Sequence, residues 1–134
     1  MSEALILDDY PPDLTRLQEL EARGDDQRVE MTNLYEQETG VAGVIYISSR
    51  VHRHGPRVKY WVRHGSDERG FSASIADEPR ILANSLSPRD LNKTAPAVLA
   101  WISLNREALL RFWNEGEDWS AGQVYEFTLA LKKV

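Results

Sequence analysis

The sequence predicts an α+β fold: an antiparallel meander of about four to six strands packed against one long helix in the C-terminal half. Three observations predict it. Short stretches of alternating apolar and polar residues recur through the middle of the chain, as half-buried strands require. Brief polar turns separate them, leaving no room for the crossover helices of a parallel sheet. Residues 95–114 then switch to a 3.6-residue period, the spacing of an amphipathic helix.

The elements follow in order. Residues 4–7 form an apolar run too short to assign. Pro11 and Pro12 open a short helix in which Leu14, Leu17 and Leu20 make a narrow apolar stripe that stops at Gly24. Residues 25–40 fit neither period. Residues 43–51 are rich in β-branched and aromatic side chains and read as a strand; residues 57–64 alternate strictly and read as a second. In that second strand Val58, Tyr60 and Val62 face the core, while Arg57, Lys59, Trp61 and Arg63 face the other way as a basic stripe carrying a Trp. Residues 71–76 supply a third strand, the Asp77-Glu78-Pro79 turn follows, and residues 80–84 return as a fourth. Ser87-Pro88-Arg89-Asp90 has the form of a capping box with Asp in place of Glu, so a helix starts there or at Thr94. Val98, Trp101, Ile102, Leu109, Phe112 and Trp113 share one side of the long helix, with Asn105 inside the stripe as a buried, hydrogen-bonded residue or an edge position rather than a catalytic amide. Gly116 is its expected left-handed stop. At the C-terminus Tyr125, Phe127, Leu129 and Leu131 alternate, which predicts a last strand whose free edge could pair with a second copy as a homodimer.

Composition narrows the function. The 134 residues fit one domain, an acidic N-terminal elaboration (1–40) on a sheet-plus-helix core (41–134), and 42% hydrophobic content with four Trp suffices for a core. The absence of Cys excludes disulfides, thiolate catalysis and Cys-ligated metals. No signal-like or membrane-length apolar segment is visible, so a cytoplasmic protein without membrane contact is expected. The net charge of −5 conceals an asymmetry: residues 1–40 carry −8, whereas residues 41–69 carry +4 and all three histidines.

That basic segment holds the candidate sites. His52 and His54 are two apart and would point the same way on an extended chain, the spacing of a zinc pair. His64, however, would lie about 20 Å away in a hairpin, and Arg50, Arg53 and Arg57 repel a cation. No metal site and no cofactor are expected. A contact surface made by Arg50, Arg53, Arg57, Lys59, Trp61 and Arg63 is favoured, with the cations neutralising phosphates and Trp61 or Tyr46 stacking on bases. The alternative is a small metal-independent ribonuclease in which His52 and His54 exchange protons with the 2′-hydroxyl and the leaving oxygen. Ser48, Ser49, Ser72 and Ser74 lack the nucleophile-elbow context of a hydrolase, and the glycines form no phosphate loop.

The strings GPRVKYWV, FSASIADEPRILANSL and WISLNREALLRFWNEG, within residues 40–116, resemble a group of small bacterial proteins. More distantly, they resemble domain-of-unknown-function family 4160. The most specific parts are the Asp77-Glu78-Pro79-Arg80 turn and the run 104–110 leading to Trp113. The resemblance implies a compact sheet packed on a helix, in a setting that includes toxin–antitoxin-like gene pairs. The Pro-His-Phe-His motif of that family is replaced here by Pro56-Arg57-Val58-Lys59, so no role of its histidines transfers. The reading is therefore a non-enzymatic binding module for a protein or nucleic-acid partner, acting through the basic hairpin 50–64 in a bacterial or phage stress or defence setting.

Overall fold

The computed structural model describes residues 31–49, 55–63 and 69–134. Five strands lie in chain order across one antiparallel sheet: β1 (Met31–Leu34), β2 (Val44–Ser48), β3 (Arg57–Trp61), β4 (Gly70–Ser74) and β5 (Ile81–Asn84). One helical turn, α1 (Glu36–Thr39), joins β1 to β2. Three helices follow the sheet, α2 (Pro88–Leu104), α3 (Arg106–Glu115) and α4 (Ala121–Ala130). The protein is thus an α+β meander with its long helix in the C-terminal half.

Alternation along the strands decides which face is buried. Leu34, Ile45, Ile47, Val58, Tyr60, Phe71 and Ala73 belong to one continuous apolar cluster with Val98, Trp101 and Ile102 of α2, Leu109 and Phe112 of α3, and Val124 and Phe127 of α4. Each large side chain removed from water contributes about 1.5–3 kcal/mol, which is why this face is specified so firmly. Tyr60 and Phe71 are register partners and stack with ring centroids 5.0 Å apart. Trp119, Phe112 and Phe127 form a second aromatic group, capped by the Arg111 guanidinium 5.0 Å from the Trp119 ring.

The sheet begins earlier than the charge pattern implies. β1, inside the segment read as an acidic elaboration, pairs with β2 from Met31↔Ser48 to Leu34↔Ile45. The expected helix from Pro11 to Gly24 lies outside the described residues. Residues 25–40 show no single period because part of them is a four-residue strand followed by a four-residue helical turn, each too short to repeat its own spacing. Gly40 ends that turn with φ 82°, a left-handed conformation that glycine adopts without penalty.

The long helix expected over 95–114 is two helices. α2 starts at Pro88, where the Asp90 N–H donates to the Ser87 hydroxyl at 3.2 Å, and Pro96 is carried inside it. It stops at Leu104 because Asn105 turns its amide to the chain end. Asn105 Nδ2 donates to the Trp101 carbonyl and to the Lys132 carbonyl, both at 3.0 Å, and its Oδ1 accepts from the Lys132 N–H at 2.8 Å. An asparagine therefore pairs with backbone as a strand would and pins the C-terminal tail. The tail continues to Val134, whose N–H donates to the Thr39 carbonyl at 2.9 Å.

Two further expectations are corrected. Gly116 is not left-handed: at φ −60° it leads into a 3₁₀ turn, and glycine is required because a Cβ there would approach the Phe112 ring to 2.7 Å. The C-terminal strand predicted over 125–131 is the helix α4. Its buried residues, Ala121, Val124, Phe127 and Thr128, repeat at helical spacing, whereas Leu129, which completed the alternation, is 61% exposed. Among the described residues the edge strands are consequently β1 and β5 rather than a terminal strand.

Two stability outcomes follow from these contacts. Asn105→Ala should lower unfolding free energy in urea by about 1–3 kcal/mol, because it leaves the Lys132 N–H without its buried acceptor. Tyr60 donates its hydroxyl to the Ala42 carbonyl at 2.7 Å, and burial, helped by the nearby Glu36 carboxylate, raises its phenol above the ordinary 10.0. Its contribution is therefore fully present below pH 10 and falls as pH rises through 10 toward the folded-state value, because the unfolded chain gives up that proton first. Tyr60→Phe should flatten that alkaline loss in pH-dependent denaturation.

Candidate binding face of the sheet

The face turned away from the core is assembled by register. Asn33, Tyr46, Lys59, Ser72 and Ala83 form one row crossing all five strands. Trp61 lies in the neighbouring row, opposite Val44 on β2 and Gly70 on β4. Arg57 pairs with Ser74 at the other end of β3. The sequence places Arg57, Lys59 and Trp61 on one side of a strand, and the structure keeps them there. Arg63 is exposed just beyond the strand end. Arg50, His52, Arg53, His54 and His64 lie outside the described residues, so the arginines at the turn and the paired histidines have no position in the site built below.

Two adjoining cavities open on this face. One, about 280 Å³, is lined by Lys59, Trp61, Gly70, Phe71, Ser72, Ala83, Asn84 and Ser85. The other, about 350 Å³, is lined by Tyr46, Ser48, Arg57, Lys59, Ser72, Ala83 and Trp113. Lys59, Ser72 and Ala83 border both, so together they make one groove running along the row from β2 to β5. At the usual strand spacing that run is about 14 Å long.

Local structure explains why a groove exists there. Phe71 and Ala73 are inward-facing neighbours of Ser72, so a small hydroxyl rather than a bulky side chain lies on the groove floor. On β5 the register slips: Ser72 pairs with Ala83, but Ala73 pairs with Ile81, leaving Leu82 as an extra residue. Such a bulge reverses the alternation of everything beyond it. Ile81 keeps its place over the core and Ala83 comes to the outer face. In a regular strand extended from Ile81, Leu82 would occupy that outer position and fill the groove.

Gly70 performs a similar service for Trp61. A Cβ at Gly70 would lie 2.8 Å from Trp61 Cε3 and would also run into the Tyr60 carbonyl, so the missing side chain lets the indole settle against the strand. The Gly70 backbone is held on its other side by Ser85, which accepts from the Gly70 N–H at 3.0 Å and donates to its carbonyl at 3.1 Å. Lys59 Nζ stands 6.0 Å from the Tyr46 ring centroid, and the Tyr46 hydroxyl donates to the Met31 sulfur. The result is a groove with aromatic walls, a small polar floor and cations along its length.

Other features offer less. Among the described residues no group of three or more His, Cys, Asp or Glu side chains could hold a metal ion, and no helix is long and apolar enough to cross a membrane. A third cavity, about 430 Å³, sits at the α2–α3 corner, but Asn105, its one buried polar side chain, is already committed to the helix and the tail. Arg106 beside it pairs with Asp77 at 3.1 Å, tying the Asp77-Glu78-Pro79-Arg80 turn to the start of α3.

Reading the sequence missed Ser72, Ala83 and Trp113 as members of this site. The parity of Ser72 was legible, since it alternates with Phe71 and Ala73; its place beside Lys59 depends on register. Ala83 depends on a bulge that no residue type announces, and Trp113 reads as one more core aromatic of the helix.

Gly70→Ala should destabilise the protein by about 1–3 kcal/mol in urea denaturation, the usual range for overpacking, whereas Gly55→Ala, with open space around it, should be near neutral. Comparison of the chain with protein-family models, with curated proteins and with solved structures finds no match.

Proposed function

We propose that this protein is a non-enzymatic binding module that takes single-stranded nucleic acid along the outer face of its sheet. The observation that carries the reading is the groove itself, lined by Tyr46 and Trp61, the edge of the largely buried Trp113, and the cations Arg57 and Lys59, over small floor residues. Every base has a π-face, so aromatic platforms accept unpaired bases without regard to sequence, and flanking cations hold the phosphates. Four-stranded sheet surfaces of this width stack two or three bases. A duplex, whose bases are already stacked, gains nothing from such platforms. Protein partners are the competing class, since Trp, Tyr and Arg also anchor protein interfaces, and the salt slope and single-strand preference tell the two apart. The bacterial or phage stress, defence or toxin–antitoxin setting implied by the resemblance belongs to the same proposal.

A ribonuclease acting through His52 and His54 would produce a different result in the same tube. The binding module leaves a short RNA intact, and His52→Ala/His54→Ala leaves its affinity within a few fold.

The test is fluorescence anisotropy with labelled oligo-dT and oligo-rU across a salt series. Three engaged cations, Arg57, Lys59 and Arg63, should give a slope of log K against log salt near −2, from about −0.7 per phosphate contact on single strands. Lys59→Ala should reduce the slope by about 0.7. Trp61→Ala should weaken binding by about 1–3 kcal/mol if one base stacks there. Ala83→Leu, which fills both cavities at an exposed position, should abolish binding while the melting temperature stays unchanged. No binding at low salt, or binding indifferent to salt and to Ala83→Leu, would overturn the proposal.

A further inference from the structure

Ser72 stands out among the groove residues. It sits in its row between Lys59 and Ala83, it borders both cavities, and only 7% of its surface is exposed. Its backbone is engaged in the sheet between Lys59 and Ala83, yet no hydrogen bond satisfies its hydroxyl among the described residues. The hydroxyl is not one of the sealed, unpartnered polar atoms among the described residues, which are Thr32 Oγ1, Ser49 Oγ and Trp101 Nε1, so it opens to the groove. Ser85, one strand away, is instead satisfied within the protein, exchanging two hydrogen bonds with Gly70. Of the residues that border both cavities, Ala83 brings no polar side-chain atom and Lys59 brings only a donor. Ser72 therefore presents a hydroxyl where the two recesses meet, whereas Ser48 borders only the larger recess and Ser85 only the smaller.

We propose that Ser72 is the specificity-determining residue of the groove, reading the polar edge of a nucleobase whose face stacks on a wall aromatic and whose phosphate is held by Lys59 or Arg57. This rests on the single-strand reading above. The two cavities then act as neighbouring base subsites. The recess of about 350 Å³, between Tyr46 and Trp113, lies within the range of small-ligand sites, and the recess beside Trp61 takes the next base. Phosphate contacts position a strand without selecting its sequence, and contacts to base edges select it. A single hydroxyl that can both donate and accept distinguishes bases by which groups they present to it. The ligand class is thus a short single strand with a base preference at one position, rather than an undifferentiated polyanion.

The experiment compares the full-length protein with Ser72→Ala and Ser72→Thr, titrating oligo-dT, oligo-dC and oligo-dA of equal length at fixed salt, with a salt series for each. The wild type should separate its best from its worst homopolymer by about three- to tenfold, the fold-change equivalent of one net hydrogen bond. Ser72→Ala should collapse that ratio toward one with the salt slope and melting temperature unchanged. Ser72→Thr, which keeps the hydroxyl, should retain a ratio. Loss of structure alone would move melting temperature and all three affinities together, which would count against the assignment. A wild type that binds all homopolymers equally, or a Ser72→Ala protein with an undiminished ratio, overturns the role of Ser72 while leaving the binding face standing. Absence of any salt-dependent binding by the wild type removes both.

Discussion

The outer face of this protein exists because the inner face is so completely occupied. Side chains alternate across a strand with a period of two, and a shift by one residue would carry Val58, Tyr60, Phe71 and Ala73 out of the core together. The aromatic stripe of α2, α3 and α4 makes such a shift prohibitive, since several side chains worth about 1.5–3 kcal/mol each would return to water. Everything on the opposite side inherits its position from that constraint. Lys59 and Trp61 are outward because Val58 and Tyr60 cannot be. The basic and aromatic character of the outer face is set by the residues left over once the core has been filled.

One local irregularity turns this leftover surface into a groove. The bulge at Leu82 lets Ile81 pack inward while Ala83 faces out beside Ser72, so the edge strand contributes a methyl group where an isobutyl group would otherwise stand. The same bulge twists the edge of the sheet, and bulged edges are poor templates for pairing with another chain. Asn105 performs the corresponding service on the helical side. Its side-chain amide joins the end of α2 to the backbone of Lys132, so the long apolar stripe is bent into two helices that follow the sheet. The core and the candidate site are thus each shaped by one residue that interrupts a regular element.

How much of this was legible depends on the range of the interaction. The meander, the facing of β3 and the buried stripe from Val98 to Trp113 follow from periodicity, which is local and repeated. The features that escaped are those in which one distant contact decides. The burial of Asn105 is among the sequence expectations, but its partner Lys132 and the helix break it makes are not. The alternation of Tyr125, Phe127 and Leu129 imitates a strand, although Ser120 and Gln123 hold a reciprocal capping box that marks a helix start, with the Ser120 N–H donating to Gln123 Oε1 at 2.8 Å. That capping signal lies in the sequence itself, and the alternation beside it is too short to define a strand. In the site, Arg57, Lys59 and Trp61 were legible from strand parity. Ser72 and Ala83 were not, because their adjacency to Lys59 is a matter of register and of a bulge.

The central claim is that the groove side of the sheet, and no other surface, is where a partner sits. Amide chemical-shift mapping during titration with an unlabelled oligo-dT tests it most directly, because every described strand and helix reports at once. The account predicts shifts concentrated at Tyr46, Lys59, Trp61, Ser72 and Ala83, fading with added salt, with α4 and the Asn105 corner silent. Shifts centred on α2 or α4, with the row from Tyr46 to Ala83 unmoved, would contradict it.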